Sequence, residues 1–241
     1  MHQSKNICTF TPPSKSVSMH KYIISIIIIL LLSASPVDTN AQENNKKFFV
    51  FLNSNPDKEN ISEDEVGKLQ TEHLNNITKL ADEGKLLAAG PIEGGGGIFI
   101  LVAEDMDQAK NYLETDPAIA ANRFNIEIFP FNIYNGKICG ATEPYEMVTY
   151  QLVRFKTENE DPNALGIALR DNRTFMAHQQ YETKQLVVYG KFSDDNDGVL
   201  IMNVPDLESA EAIINSHPSV INGSISYKIN TLWIAKGTFC E

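Results

Sequence analysis

Two stretches of about one hundred residues follow one another in this chain with the same order of elements, and that correspondence limits the fold more than any other feature. In the first, Lys47 to Cys139, FFVFLN (48–53) is a short apolar and aromatic run of strand type. A polar loop with Pro56 follows. Val66, Leu69, His73, Ile77 and Leu80 then recur at three- and four-residue spacing, which predicts one face of a helix over 65–83 closed by Gly84. LLAAGPI (86–92) and IFILVAE (98–104) read as strands about a Gly94–Gly97 turn. MDQAKNYLETDP reads as a second helix stopped at Pro117, and the alternating FNIEIFPFNI (124–133) as a fourth strand. The order is βαββαβ, the ferredoxin-like unit.

From Tyr150 to Cys240 the order returns. YQLVRF (150–155), QLVVYGKF (185–192), VLIMNV (199–204) and SYKINTLWIA (226–235) read as strands. Residues 168–184 and 207–218 read as helices, and Asp194–Gly198 as a turn with an Asp-Gly hairpin signal. Landmarks correspond at an offset of about one hundred: Gly90 with Gly190, Gly97 with Gly198, Asp116-Pro117 with His217-Pro218, Phe131 with Trp233, and Cys139 with Cys240. The expected domains are 47–139 and 148–240, joined through Pro144. One βαββαβ unit leaves a sheet face bare, which must be covered. The expected fold class is therefore α+β, with tandem ferredoxin-like units forming an intramolecular dimeric α+β barrel. A monomer with pseudo-dimeric halves satisfies this, and so does a homodimer in which each half finds its partner in a second chain.

The first 41 residues have a different character. Lys21 precedes an apolar run from Tyr22 to Leu32, followed by small and polar residues up to Ala41. This is the pattern of a secretory signal, and eleven apolar residues are too few for a helix across a hydrocarbon core of ~30 Å. Met19 makes a compact start for such a signal. Cleavage is expected after Ala41, giving a secreted or periplasmic protein with no stable membrane anchor after cleavage. The remainder carries 17 basic and 30 acidic side chains. That balance argues against nucleic-acid partners, which require clustered Lys and Arg. Three Cys are too few for a disulfide-built scaffold, but Cys139 and Cys240 occupy matched places and can pair in an oxidising compartment.

One segment carries a resemblance. His73-Leu74, Ile77, Leu80 and the run Gly84-Lys85-Leu86-Leu87-Ala88-Ala89-Gly90-Pro91, followed by GGGGIFIL (94–101) and DMDQAKNYLETDPAIAANRFNIEIFPF (105–131), resembles the YCII-related domains. The resemblance covers about 47–135 well and 148–236 only by order of elements and landmarks. It implies a ferredoxin-like fold of the dimeric α+β barrel type and an enzyme with a His and an acidic partner in a sheet-side cleft.

His73 sits on the apolar face of its helix, where an imidazole near neutral pH can act as general acid or base or can be a satisfied core residue. The resemblance points to Asp116 as its carboxylate; Glu72 is an alternative, and Asp82, nine residues on, faces the other side. The same run puts Gly90 and Pro91 forward as substrate-binding residues. In the second stretch His73 falls opposite Arg173, Asp116 opposite His217 and Pro91 opposite Lys191, so the pair is lost there; His178 is no direct substitute. No metal-ligand spacing occurs, Gly94–Gly97 lacks the Lys-Ser/Thr of a phosphate loop, and Asp194–Gly198 lacks the downstream Glu of a calcium loop. The expectation is a cofactor-independent, metal-free acid/base enzyme, lyase- or isomerase-like, acting on a small organic molecule. A non-catalytic small-molecule-binding or structural module is the alternative.

Overall fold

The sheet follows from strands that are apolar on both sides. In β1 (Lys46–Ser54) Phe49 and Phe51 face one way and Phe48, Val50 and Leu52 the other, and all five are buried. Such a strand has to be covered on both faces. The computed structural model describes residues 45–141, 144–157, 174–192 and 197–240, so the leader and Arg173 lie outside the described residues, as does most of the Asp194–Gly198 turn.

The first half contributes β1, β2 (Leu86–Pro91), β3 (Gly97–Ala103) and β4 (Phe124–Asn135), and the second β6 (Met147–Thr157), β7 (Leu186–Phe192), β8 (Gly198–Met202) and β9 (Ile225–Ala235). They form one antiparallel eight-stranded sheet in the order β2-β3-β1-β4-β7-β8-β6-β9. The register repeats: Leu52 lies opposite Gly97 and Ile126, and Phe155 lies opposite Gly198 and Tyr227. The halves join twice. At β4–β7 four pairs are in register, including Phe131 with Phe192. At β2–β9 the corresponding pair, Leu232 with Ile92, forms an isolated bridge, and the Glu93 N–H donates to the Thr231 carbonyl at 2.9 Å. The second join brings the sheet round on itself, so both halves of the barrel lie in one chain.

Glycine makes both joins possible. A Cβ on Gly90 would stand 2.6 Å from the Trp233 carbonyl oxygen, and one on Gly190 would strike the Phe131 ring. Gly90, expected to bind substrate, lies where β9 approaches. Inside the barrel Phe49, Phe51, Phe131, Phe192, Leu152 and Leu232 are packed together.

Helices cover the outer faces. Ser62 and Glu65 form a reciprocal capping box that starts α1 (Glu63–Asp82). Its buried line is His73, Asn76 and Leu80; Val66, expected on the apolar face, lies on the first turn and is 45% exposed. The second helix is shorter than its pattern. α2 (Met106–Glu114) ends before Asp116, and Pro117 opens a new turn, α3 (Pro117–Ala120), instead of merely stopping the old one. In the second half, residues 174–177 are α-helical and His178–Glu182 widen into a π turn. α4 (Leu207–Ile214) and α5 (Pro218–Ile221) repeat α2 and α3.

β5 (Lys137–Ile138) and β10 (Phe239–Cys240) form a small second sheet, and Cys139 and Cys240 are joined as a disulfide with Cα atoms 5.9 Å apart. Ile138 and Phe239 pack on the barrel interior there, with the Tyr150 ring 5.4 Å from that of Phe239. Further along β6, Arg154 lies over the Phe51 and Phe129 rings and holds both carboxylate oxygens of Glu127, at 3.0 and 2.9 Å. Among the described residues no helix is long and apolar enough to cross a membrane.

Candidate active site

The site is built from the ends of two helices. Pro117 lacks an N–H and has a φ suited to a first helical position, so Asp116 becomes the N-cap of α3. Its Oδ1 accepts the N–H groups of Ala118 at 2.9 Å and Ile119 at 3.2 Å, two donors that have no partner within the helix. The carboxyl is fully buried and cannot turn. Its other oxygen, Oδ2, is 2.6 Å from Nδ1 of His73. A carboxylate only accepts, so the proton of the neutral imidazole lies on Nδ1, and Nε2 is left as the acceptor. Nε2 has no partner among the described residues.

His73 is 8% exposed. Its ring is stacked on Phe99 (centroids 5.9 Å apart, planes at 19°) and tilted against Phe124 at 5.9 Å. One turn along α1, Asn76 stands beside the same cap: its Oδ1 is 3.0 Å from Thr115 Oγ, which is 2.7 Å from the Tyr112 carbonyl. A hydroxyl has one proton. If it goes to the carbonyl, the Asn76 amide turns over and donates to Thr115. In either orientation one polar atom of this buried amide stays unpaired.

The structure therefore brings His73 and Asp116 together, and neither Glu72 nor Asp82 is bonded to the imidazole. Pro91 is exposed at the end of β2. Sequence spacing did not single out Phe99, Phe124 or Asn76. For Asn76 the signal was present: a polar residue three positions from His73 on a face otherwise given to the core. No group of three His, Cys, Asp or Glu among the described residues could hold a metal ion.

In the second half the same place is filled differently. His217 caps α5, its Nδ1 accepting the Ser219 N–H at 3.0 Å, and it is 3% exposed. Leu200 stands for Phe99 and Ile225 for Phe124, and a cavity of about 20 Å³ opens among Val153, Leu200, His217 and Ile225. That is room for about one water. The Phe175 ring lies 4.5 Å from His217, and His178 is exposed.

Residues 47–132 match the family model of the YCII-related domain. The search of curated proteins found no match. Among solved structures the chain is similar to a provisionally named monooxygenase from Lactobacillus acidophilus NCFM (13% identity, TM-score 0.45, 80% of this chain and 94% of that one). A provisionally named monooxygenase from Fusobacterium nucleatum matches at 12% identity and TM-score 0.48, over 80% of this chain and 95% of that one. An anthrone oxidase-like protein matches at 9% and 0.44, over 80% and 92%. Likeness at this level assigns no activity. The residues that match the YCII-related family model include the helix-borne His73 and the capping Asp116.

Proposed function

We propose that the protein is an exported, cofactor-independent acid/base enzyme acting on a small organic molecule, with its chemistry in the first half. The observation that carries this reading is the 2.6 Å bond from His73 Nδ1 to a carboxylate fixed by two backbone N–H groups. Nε2 takes a proton from an acidic C–H or O–H of the substrate. Asp116 stabilises the imidazolium, which then returns the proton to another atom of the substrate or to a leaving group, giving an isomerisation or an elimination. On this reading the two halves are copies of one unit, and the second has kept the barrel and lost the pair.

The test is a metabolite screen of the protein followed by His73→Gln and Asp116→Asn. A positioned acid/base contributes typically 10²–10⁴-fold, so each variant should lose turnover on that scale while circular dichroism shows an unchanged fold. Full turnover by folded His73→Gln would end the assignment. Export is tested by expressing the whole gene in a bacterium with a periplasm: the released protein should begin at Gln42, and retention of the leader in the cytoplasm would refute it.

A second reading, a non-catalytic module, is favoured by one observation: the His73 ring is sealed against Phe99 and Phe124 with little exposure. Acylation by diethyl pyrocarbonate separates the two. An enzyme's Nε2 is modified and protected by substrate, whereas a core imidazole does not react.

A further inference from the structure

The clearest unassigned feature lies on the outer face of the barrel, where the halves meet at β2–β9. Bridge Ile92–Leu232 and the Glu93–Thr231 hydrogen bond set the register there, so Glu93 stands opposite Thr231 and Pro91 opposite Trp233. On the other side of β9, Thr231 faces Gln151 and Trp233 faces Thr149. Residues opposite one another in a sheet share a face. Glu93, Thr231 and Gln151 therefore form one row and Pro91, Trp233 and Thr149 the next. An open groove of about 460 Å³ runs from this patch to the start of α4, where Pro205, Asp206, Leu207 and Glu208 form its far wall.

Three properties of the groove point to a ligand. Gln151 is 1% exposed yet lines it, and its amide has a single partner, Thr231 Oγ at 3.3 Å. One polar atom of a nearly buried amide is thus left facing the groove, and a hydroxyl partner that both donates and accepts lets either atom be the one presented. Second, Glu93, Asp206 and Glu208 are lining residues, and no Lys, Arg or His lines the groove with them. The hydrogen bond from Ser209 to Asp206 holds that carboxyl below its usual range, so it stays charged. Third, these carboxylates do not converge on one point, since no three such groups among the described residues could hold a metal ion. At the sheet of the other join Lys46, Phe48, Pro130, Asn132 and Lys191 take the places of Thr149, Gln151, Thr231, Trp233 and Pro91, while Asp105 and Asp107 repeat Asp206 and Glu208.

We infer that this groove binds an extended organic polycation, of the diamine or polyamine class. Its separated ammonium groups meet the spaced carboxylates. Its methylene segments lie on Pro205 and on Leu207, which is 40% exposed. Gln151 turns its oxygen outward to accept from an amine, and Trp233, 53% exposed at the rim, offers a ring face to a cation. The inference does not depend on the His73 chemistry, and the groove takes residues from both halves.

Trp233 is the chain's single Trp and stands opposite the lining residue Thr149, so its fluorescence is a probe beside the groove. Spermidine titrated into the intact protein at fixed ionic strength should change that emission saturably. The Glu93→Gln/Glu208→Gln double variant should bind roughly fivefold more weakly, the about 1 kcal/mol expected of two exposed charge pairs together. Gln151→Leu should weaken binding while circular dichroism stays the same. No saturable change would overturn the proposal, as would equal affinity in the double variant. A response to Mg²⁺ matching that of spermidine would reduce it to charge screening and overturn it too. Saturation by a neutral disaccharide in place of spermidine would show the wrong ligand class.

Discussion

Arg154 shows how one side chain can tie the two halves together. It comes from β6, in the second half, yet its partners Glu127, Phe51 and Phe129 belong to the first. The guanidinium, with help from Asn53, holds the Glu127 carboxyl below its ordinary value. A carboxyl with a lowered pKa in the folded state contributes stability above its unfolded pKa and loses it as pH falls through the folded one. Glu127→Gln should therefore cost about 0.5 kcal/mol at neutral pH, the modest figure reflecting solvent screening of a side chain 40% exposed. At a pH below the lowered folded pKa the difference from the parent should close. Urea titrations at the two pH values check this, and an equal deficit at both would show that the charge is not the cause.

At the scale of elements, periodicity located the strands and helices because each buries a regular face. It failed where a local bond outranked the pattern. The MDQAKNYLETDP run looks like one helix, but the side chain of Asp116 takes the N–H groups of Ala118 and Ile119 and starts a second turn. His73 was readable as a polar residue on an apolar face; its packing against Phe99 and Phe124 was not, because those rings come from strands distant in sequence. Gly90 also lies against the β9 backbone, a contact across 143 residues that spacing cannot show. Gly90→Ala places a methyl group 2.6 Å from a carbonyl and should push the β2–β9 join apart. We expect a loss of about 1–3 kcal/mol, as for other overpacked sites. Hydrogen exchange should speed up in β2 and β9 while β4 and β7 keep their protection; a uniform change would place the strain elsewhere.

For the whole molecule, two joins complete the barrel inside a single chain. The disulfide acts at the same scale. Cys139 and Cys240 are 101 residues apart, and closing a loop of that length restricts the unfolded chain by about 4–5 kcal/mol in the chain-entropy account. Reduction and alkylation should lower the urea midpoint and leave the native circular dichroism intact. An unchanged midpoint would mean that the small β5–β10 sheet holds that end of the barrel without the bond.

The two matched turns, one capped by Asp116 and the other by His217, form a comparison within a single molecule. Each cap has the same task, to accept backbone N–H groups above a Pro, and an imidazole nitrogen does it as a carboxylate does. Building the turn thus requires an acceptor and nothing more. The negative charge at Asp116 exceeds that requirement, and the group it touches is His73. Exchanging the residues makes the point experimentally: Asp116→His should leave the scaffold standing and abolish any chemistry that depends on the carboxylate.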